Sequence, residues 1–244
     1  MANGTGFVDQ QSNVDVLENG IFMFSFIRKL ADNRVKGSYA NRLRVRRFRL
    51  FDRLIADLPR PLRIIDVGGT SLFWEQMGFA GREDVEITLV NLQAEKISKP
   101  GFQSFAGDAR DLSQFDNQQF DLAFSNSVIE HVGDYADQEK MVREMQRVAR
   151  FVFLQTPNRY FPLEPHFLFP FFQFLPVGVR VWMLRRFRLG WYEKTTDRAR
   201  AEKIVRSIRL LTRSELKKLF PGAVIHRERL FGMVKSFVVV SAPV

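Results

Sequence analysis

The residues best suited to chemistry stand at the ends of short apolar runs. Leu62-Arg63-Ile64-Ile65 leads into Asp66-Val67-Gly68-Gly69-Thr70; Val85 to Val90 ends in Asn91-Leu92; Phe105-Ala106 ends in Gly107-Asp108-Ala109; Phe120 to Ser125 ends in Asn126-Ser127. A glycine pair lets the backbone turn sharply and approach a ligand, while carboxylate, amide and hydroxyl groups beside it are partners for sugar hydroxyls and amino groups. His131 and His166 are the candidate bases, because an unperturbed imidazole titrates at about pH 6.5. The chain has 3 histidines. The third, His226, sits inside a strand-like run and reads as structural.

These residues need strands to carry them. Leu62 to Val67 reads as a buried parallel strand feeding a tight turn. A short helical segment, Ser71 to Phe79, precedes the strand Val85 to Asn91. The runs at Phe105 and Phe120 follow, then a fifth strand, Phe151 to Leu154. Strand and helix alternate at the pace of an open parallel sheet, whose ligands bind at the carboxyl ends of the strands. Asn91 lies 22 residues beyond Gly69; in nucleoside-binding sheets a polar side chain about 20 residues past the glycines faces the ribose. The plainer alternative, a residue that only ends a strand, stays open for Asn91 and for the glycine turn.

Composition narrows the class. The chain has 244 residues, 45% hydrophobic and 26% charged, as a folded globular protein of one large domain does. It has no cysteine, which excludes disulfides and thiolate metal sites; no metal is expected. Gly68-Gly69-Thr70-Ser71-Leu72-Phe73 is not the dinucleotide fingerprint, and no phosphate-binding loop of the Gly-x-x-x-x-Gly-Lys type occurs. The N-terminus has no basic region ahead of an apolar core of signal length, so a cytoplasmic protein is expected.

The formal net charge is +10 and is unevenly placed. Residues 28–63 carry twelve Arg or Lys against three Asp, residues 178–218 thirteen against four acids, and the remainder is acidic. The first basic surface coincides with an amphipathic helix from about Tyr39 to Leu58. Phe48, Phe51, Leu54, Ile55 and Leu58 form its apolar stripe, Arg42, Arg46, Arg49 and Arg53 lie on another face, and Pro59 and Pro61 end it.

Taken together, Ile64 to Thr70, Asn91, Gly107-Asp108-Ala109 and Asp121 to Val132 resemble the ordered motifs of the class I S-adenosylmethionine-dependent methyltransferases, closest to the small-molecule branch called type 11. The resemblance covers roughly residues 60 to 158. It resumes at the Thr212-capped helix and at the runs Ala223 to Phe231 and Val234 to Ser241, similar to that family's closing hairpin. It implies an α/β, Rossmann-like seven-stranded sheet with helices on both faces. A basic helical extension over residues 1–60 would precede a methyltransferase domain over 61–244.

The implied cofactor is S-adenosyl-L-methionine. Asp66, Gly68, Gly69 and Thr70 would line its methionine end, Asn91 and Leu92 its ribose side, Gly107, Asp108 and Ala109 its adenine, and Asn126 and Ser127 the region of the sulfonium. Thr70 and Leu72 stand where the family usually has glycine, and Asn91 where it usually has an acid. His131, just past the fourth strand, and His166 are the implied catalytic bases.

Residues 156–210 form an insertion between the fifth strand and the last helix. Tyr160 to Pro176 packs aromatics between prolines, and Arg180, Arg185, Arg186 and Arg188 follow with Trp182 and Trp191. The prolines argue against a spanning helix, and aromatics with arginines suit either a lid or docking at an anionic membrane surface. The expected activity is O-methylation of a small, lipid-linked, glycan-like or anionic acceptor, with the protein cytoplasmic and peripheral on the inner face of the membrane. A non-catalytic scaffold that binds membrane or a partner is the alternative reading, and a nucleic-acid substrate a third.

Overall fold

The structure is a computed structural model and describes residues 39–242. The expected extension before residue 39 lies outside the described residues.

The first helix, α1 (Tyr39–Ala56), is followed by β1 (Leu62–Val67), α2 (Ser71–Gln76), β2 (Val85–Asn91), β3 (Phe102–Ala106) and β4 (Phe120–Asn126). A 3-10 turn, Ile129–His131, leads into α3 (Tyr135–Val148) and β5 (Ala149–Pro157). After the insertion come α6 (Arg213–Leu219), β8 (Val224–Leu230) and β9 (Met233–Ser241). The main sheet has seven strands in the order β3-β2-β1-β4-β5-β9-β8. The first five run parallel; β9 pairs antiparallel to both β5 and β8. The order reverses between β1 and β4, which opens a crevice beyond their carboxyl ends.

Strand alternation divides the core into two layers. In β1, Ile65 and Val67 pack with α3 and α6 through Met141, Val142, Met145, Leu216 and Leu219. Leu62 and Ile64 face α1 and α2 in a layer built of rings: Phe48, Phe51, Trp74, Phe79, Phe124 and Phe153. Phe51 is fully buried and meets Trp74, Phe124 and Phe153 at centroid distances of 5.6, 5.3 and 5.4 Å, the edge-to-face spacing that aromatic pairs favour. The apolar stripe of α1 therefore closes the sheet, as its spacing predicts.

The insertion folds on itself. It holds a two-stranded ladder, β6 (Leu163–Glu164) and β7 (Phe169–Pro170), then α4 (Val177–Arg186) and α5 (Arg198–Arg206). Phe167, Phe172, Val181, Leu184, Leu189, Ala201 and Val205 form a separate small core. No helix among the described residues is long and apolar enough to cross a membrane.

Candidate active site

Gly68 closes β1 with φ +87°, a conformation only glycine adopts without strain, and a Cβ there would lie 2.5 Å from Val128. At Gly69 a Cβ would fall 1.6 Å from Asp66 Oδ2. The turn is thus shaped by two separate exclusions, and it holds the backbone close beside the crevice. Thr70 caps α2, its hydroxyl accepting from Phe73 N at 3.4 Å.

Asp66 lies beneath this loop, not on its open side. It shares the strand face of Leu62 and Ile64, is fully buried, and Trp74 Nε1 donates to its Oδ2 at 2.7 Å. Its Oδ1 has no hydrogen-bond partner among the described residues. Burial raises its pKa to about 7 against the lowering effect of the Trp74 bond, because a charged carboxylate in an apolar layer is costly.

The other strand-end residues stand at or just past the carboxyl ends of β2, β3 and β4. Asn91 Nδ2 donates to Gly69 O at 2.8 Å and so ties the end of β2 to the glycine loop; its Oδ1 takes no hydrogen bond among the described residues. Leu92 beside it is 80% exposed, a large apolar side chain left on the surface. Gly107 N donates to Asn91 O at 2.8 Å. Asp108 is paired with Arg110 at 2.6 Å, and that bond holds its carboxyl below the usual range. Ala109 packs against the core.

Asn126, at the end of β4, accepts from Arg47 Nη1 at 2.5 Å, and the same guanidinium grips Glu228 through Nε at 2.9 Å and Nη2 at 2.8 Å. Ser127 Oγ donates to Gln155 Oε1 at 2.7 Å.

Opposite stands the histidine pair. His131 comes from the turn after β4, and His166 is carried in from the insertion. Their Nε2 atoms are 3.1 Å apart, and His166 Nδ1 lies 2.8 Å from Glu164 Oε1. Glu164 is 2% exposed, and its Oε2 accepts from the backbone N–H groups of His166 at 2.8 Å and Phe167 at 2.6 Å. Behind His166, Trp191 N donates to His166 O at 3.1 Å, and a Cβ on Gly190 would meet that same carbonyl at 2.5 Å. Glu164 therefore orients the imidazole through Nδ1, while Trp191 and Gly190 hold the His166 backbone.

Glu130 is fully buried next to the pair. Thr156 Oγ1 donates to its Oε2 at 3.0 Å, while its Oε1 has no hydrogen-bond partner among the described residues. Burial raises the Glu130 pKa. His131 keeps one exposed edge; crowding of its inner side and the charge on His166 lower its pKa. For His166, burial opposes the charge, but the bond to Glu164 and the charges of Glu164 and Glu130 prevail and raise its pKa. The ligand atoms of Glu130, His131 and His166 lie within 4.8 Å of one another, a donor set suited to a cation.

Among known proteins, the family model described as a methyltransferase domain matches residues 68–151, the stretch from the glycine loop to β5. Over that stretch the chain is similar to a methyltransferase domain, and its sheet is a class I methyltransferase fold. A search of curated protein sequences finds no match. The methyltransferase fold also aligns with CurJ carbon methyltransferase at TM-score 0.52 and 13% identity, over 80% of this chain and 52% of that one. With the carbon-methyltransferase domain of citrinin polyketide synthase the TM-score is 0.50 at 16% identity, over 82% and 52%. The chain spans about half the length of these two proteins. A methyltransferase from Aquifex aeolicus aligns at TM-score 0.49 and 13% identity, over 91% and 98%.

The cofactor of this class is S-adenosylmethionine, and the crevice fits it. The glycine loop has no room for side chains, Asn91 offers a free acceptor, and Leu92 offers an uncovered apolar face. Sequence reasoning missed Glu164, Glu130 and Arg47. Glu164 stands two residues before His166 and Glu130 directly before His131; an acid so close to a histidine is a signal for an oriented imidazole.

Proposed function

We propose that the protein transfers the methyl group of S-adenosylmethionine to an oxygen of a small acceptor that is anionic or lipid-linked. The observation that carries this reading is the pair of imidazoles joined Nε2 to Nε2 at 3.1 Å and backed by Glu164. The cofactor supplies an already activated sulfonium methyl. The chain's own part is to hold the acceptor close and on axis, and positioning does most of that work. An oxygen nucleophile must also give up a proton, and the exposed edge of His131 stands where an acceptor hydroxyl could reach it. Glu164 fixes the tautomer of His166, which in turn orients His131.

The insertion supports an acceptor drawn from a membrane surface. Tyr160, Phe171, Phe174, Trp182 and Phe187 are between 44% and 66% exposed, and Arg185, Arg186 and Arg188 lie among them. Rings at headgroup depth with arginines on anionic lipid make an interfacial anchor, peripheral on the cytoplasmic face.

The test is transfer of labelled methyl to a panel of hydroxylated and carboxylated acceptors, free and lipid-linked. The reading expects an O-methyl product with wild type. His131→Gln and His166→Gln should lose about 10²-fold or more in kcat while keeping S-adenosylhomocysteine affinity. Unchanged kcat in both variants would refute the assignment of the pair.

A further inference from the structure

Four side chains meet at one corner of the crevice, and a chain of hydrogen bonds alone leaves their arrangement incomplete. Glu130 Oε1 is buried with no donor among the described residues, although the other carboxylate oxygens of this corner are satisfied: Glu130 Oε2 by Thr156, and both Glu164 oxygens by His166 and Phe167. An unpartnered carboxylate oxygen at zero exposure is costly. The two imidazoles aim the same atom, Nε2, at each other. With His166 Nδ1–H directed at Glu164, a neutral His166 presents its Nε2 lone pair to this gap.

We infer that Glu130, His131 and His166 form a site for a divalent transition-metal cation, zinc above all, with Glu164 as the carboxylate that orients His166. Two imidazole nitrogens bound tetrahedrally to one zinc at about 2.0–2.1 Å are separated by about 3.3 Å, and the observed separation is 3.1 Å. The carboxylate oxygen of Glu130 lies within 4.8 Å of both. Two histidines and one carboxylate are the ligand set of open zinc and other divalent-metal sites, which keep a coordination position for water or substrate. The Glu164–His166 bond repeats the carboxylate–histidine–metal arrangement that fixes ring orientation and strengthens the ligand. The absence of cysteine leaves imidazole and carboxylate as the ligands available, and this corner gathers two of the chain's three histidines.

The site rests on the proposed function only for its use in turnover. There the cation would stand between the two rings, and the imidazoles would act through it, polarising an acceptor hydroxyl at its open position.

The experiment is calorimetric titration of metal-stripped, full-length protein with zinc and, separately, manganese, with bound metal checked by elemental analysis. S-adenosylhomocysteine binding is measured on the same samples. The expected result is one zinc per chain, lost in His131→Ala and His166→Ala, and weakened about 10- to 100-fold in Glu164→Gln. His226→Ala, in β8, should bind as wild type does. Glu130→Gln, which keeps an oxygen for Thr156, should bind more weakly while its thermal unfolding stays cooperative. No saturable zinc binding by wild type that still binds S-adenosylhomocysteine would overturn the inference and leave the methyltransferase reading intact. Zinc binding equal in wild type, His131→Ala and His166→Ala would overturn it as well.

Discussion

Trp74 Nε1 donates to Asp66 Oδ2 at 2.7 Å inside the layer between α1, α2 and the sheet. An acid held there makes stability depend on pH. Its folded pKa, about 7, lies above the unfolded value of 3.8, so the folded chain binds the extra proton between these limits. The contribution is fully present below the unfolded value and is lost as pH rises through about 7. Urea unfolding of wild type should show stability falling by roughly 1–4 kcal/mol from this group between pH 4 and 8. Asp66→Asn should remove that slope; identical pH profiles for the two proteins would contradict the assignment.

Gly69 is expected to tolerate no side chain. A Cβ would lie 1.6 Å from Asp66 Oδ2, so Gly69→Ala must displace the loop proposed to face the cofactor. The expected effect is about a tenfold or greater loss in S-adenosylhomocysteine affinity, roughly 1.4 kcal/mol or more. Calorimetry on a variant that still unfolds cooperatively reads it directly, and wild-type affinity would show that the loop does not touch the cofactor.

Arg47 joins α1 to the far edge of the sheet. It donates to Asn126 and grips Glu228, with only 14% and 11% of the Arg47 and Glu228 side chains exposed. Arg47→Ala leaves that carboxylate poorly paired, and a cost of about 2–4 kcal/mol follows. Chemical unfolding of Arg47→Ala, Glu228→Gln and the double variant checks this. A double variant that loses as much stability as the two singles added together would show that the two are not coupled.

Membrane docking predicts a difference between lipids. Wild type should sediment with vesicles containing phosphatidylserine and much less with phosphatidylcholine alone, and salt should weaken the binding. Trp182→Ala with Phe187→Ala should reduce it severalfold, because both rings are about half exposed and contribute little to the core. Equal binding to both vesicle types, or to neither, would remove the electrostatic docking idea.

The sheet was legible because buried parallel strands leave continuous apolar runs. The strand ends at Gly68, Asn91 and Asn126 fall where those runs stop. The helix over Tyr39 was legible from its stripe, and the capping box of Thr212 and Glu215 is present. Asp66 shows what motif likeness alone overlooks. It shares the parity of Leu62 and Ile64, and that alternation already directs it into the aromatic layer beneath the glycine loop. The histidine pair was half legible: each residue stood out alone, but their meeting depends on how the insertion folds back across 35 residues. Arg47 and Glu228 are 181 residues apart, and no local pattern joins them.

The central claim is that the crevice between β1 and β4 binds the methyl donor. The most direct measurement is calorimetric binding of S-adenosylmethionine and S-adenosylhomocysteine to wild type, Asn91→Ala and Asp108→Ala. Binding at about micromolar Kd, near −8 kcal/mol, that weakens in both variants is the predicted result. No binding to a well-folded wild type would contradict the account and leave a methyltransferase-like scaffold, its crevice altered by Thr70, Leu72 and Asn91.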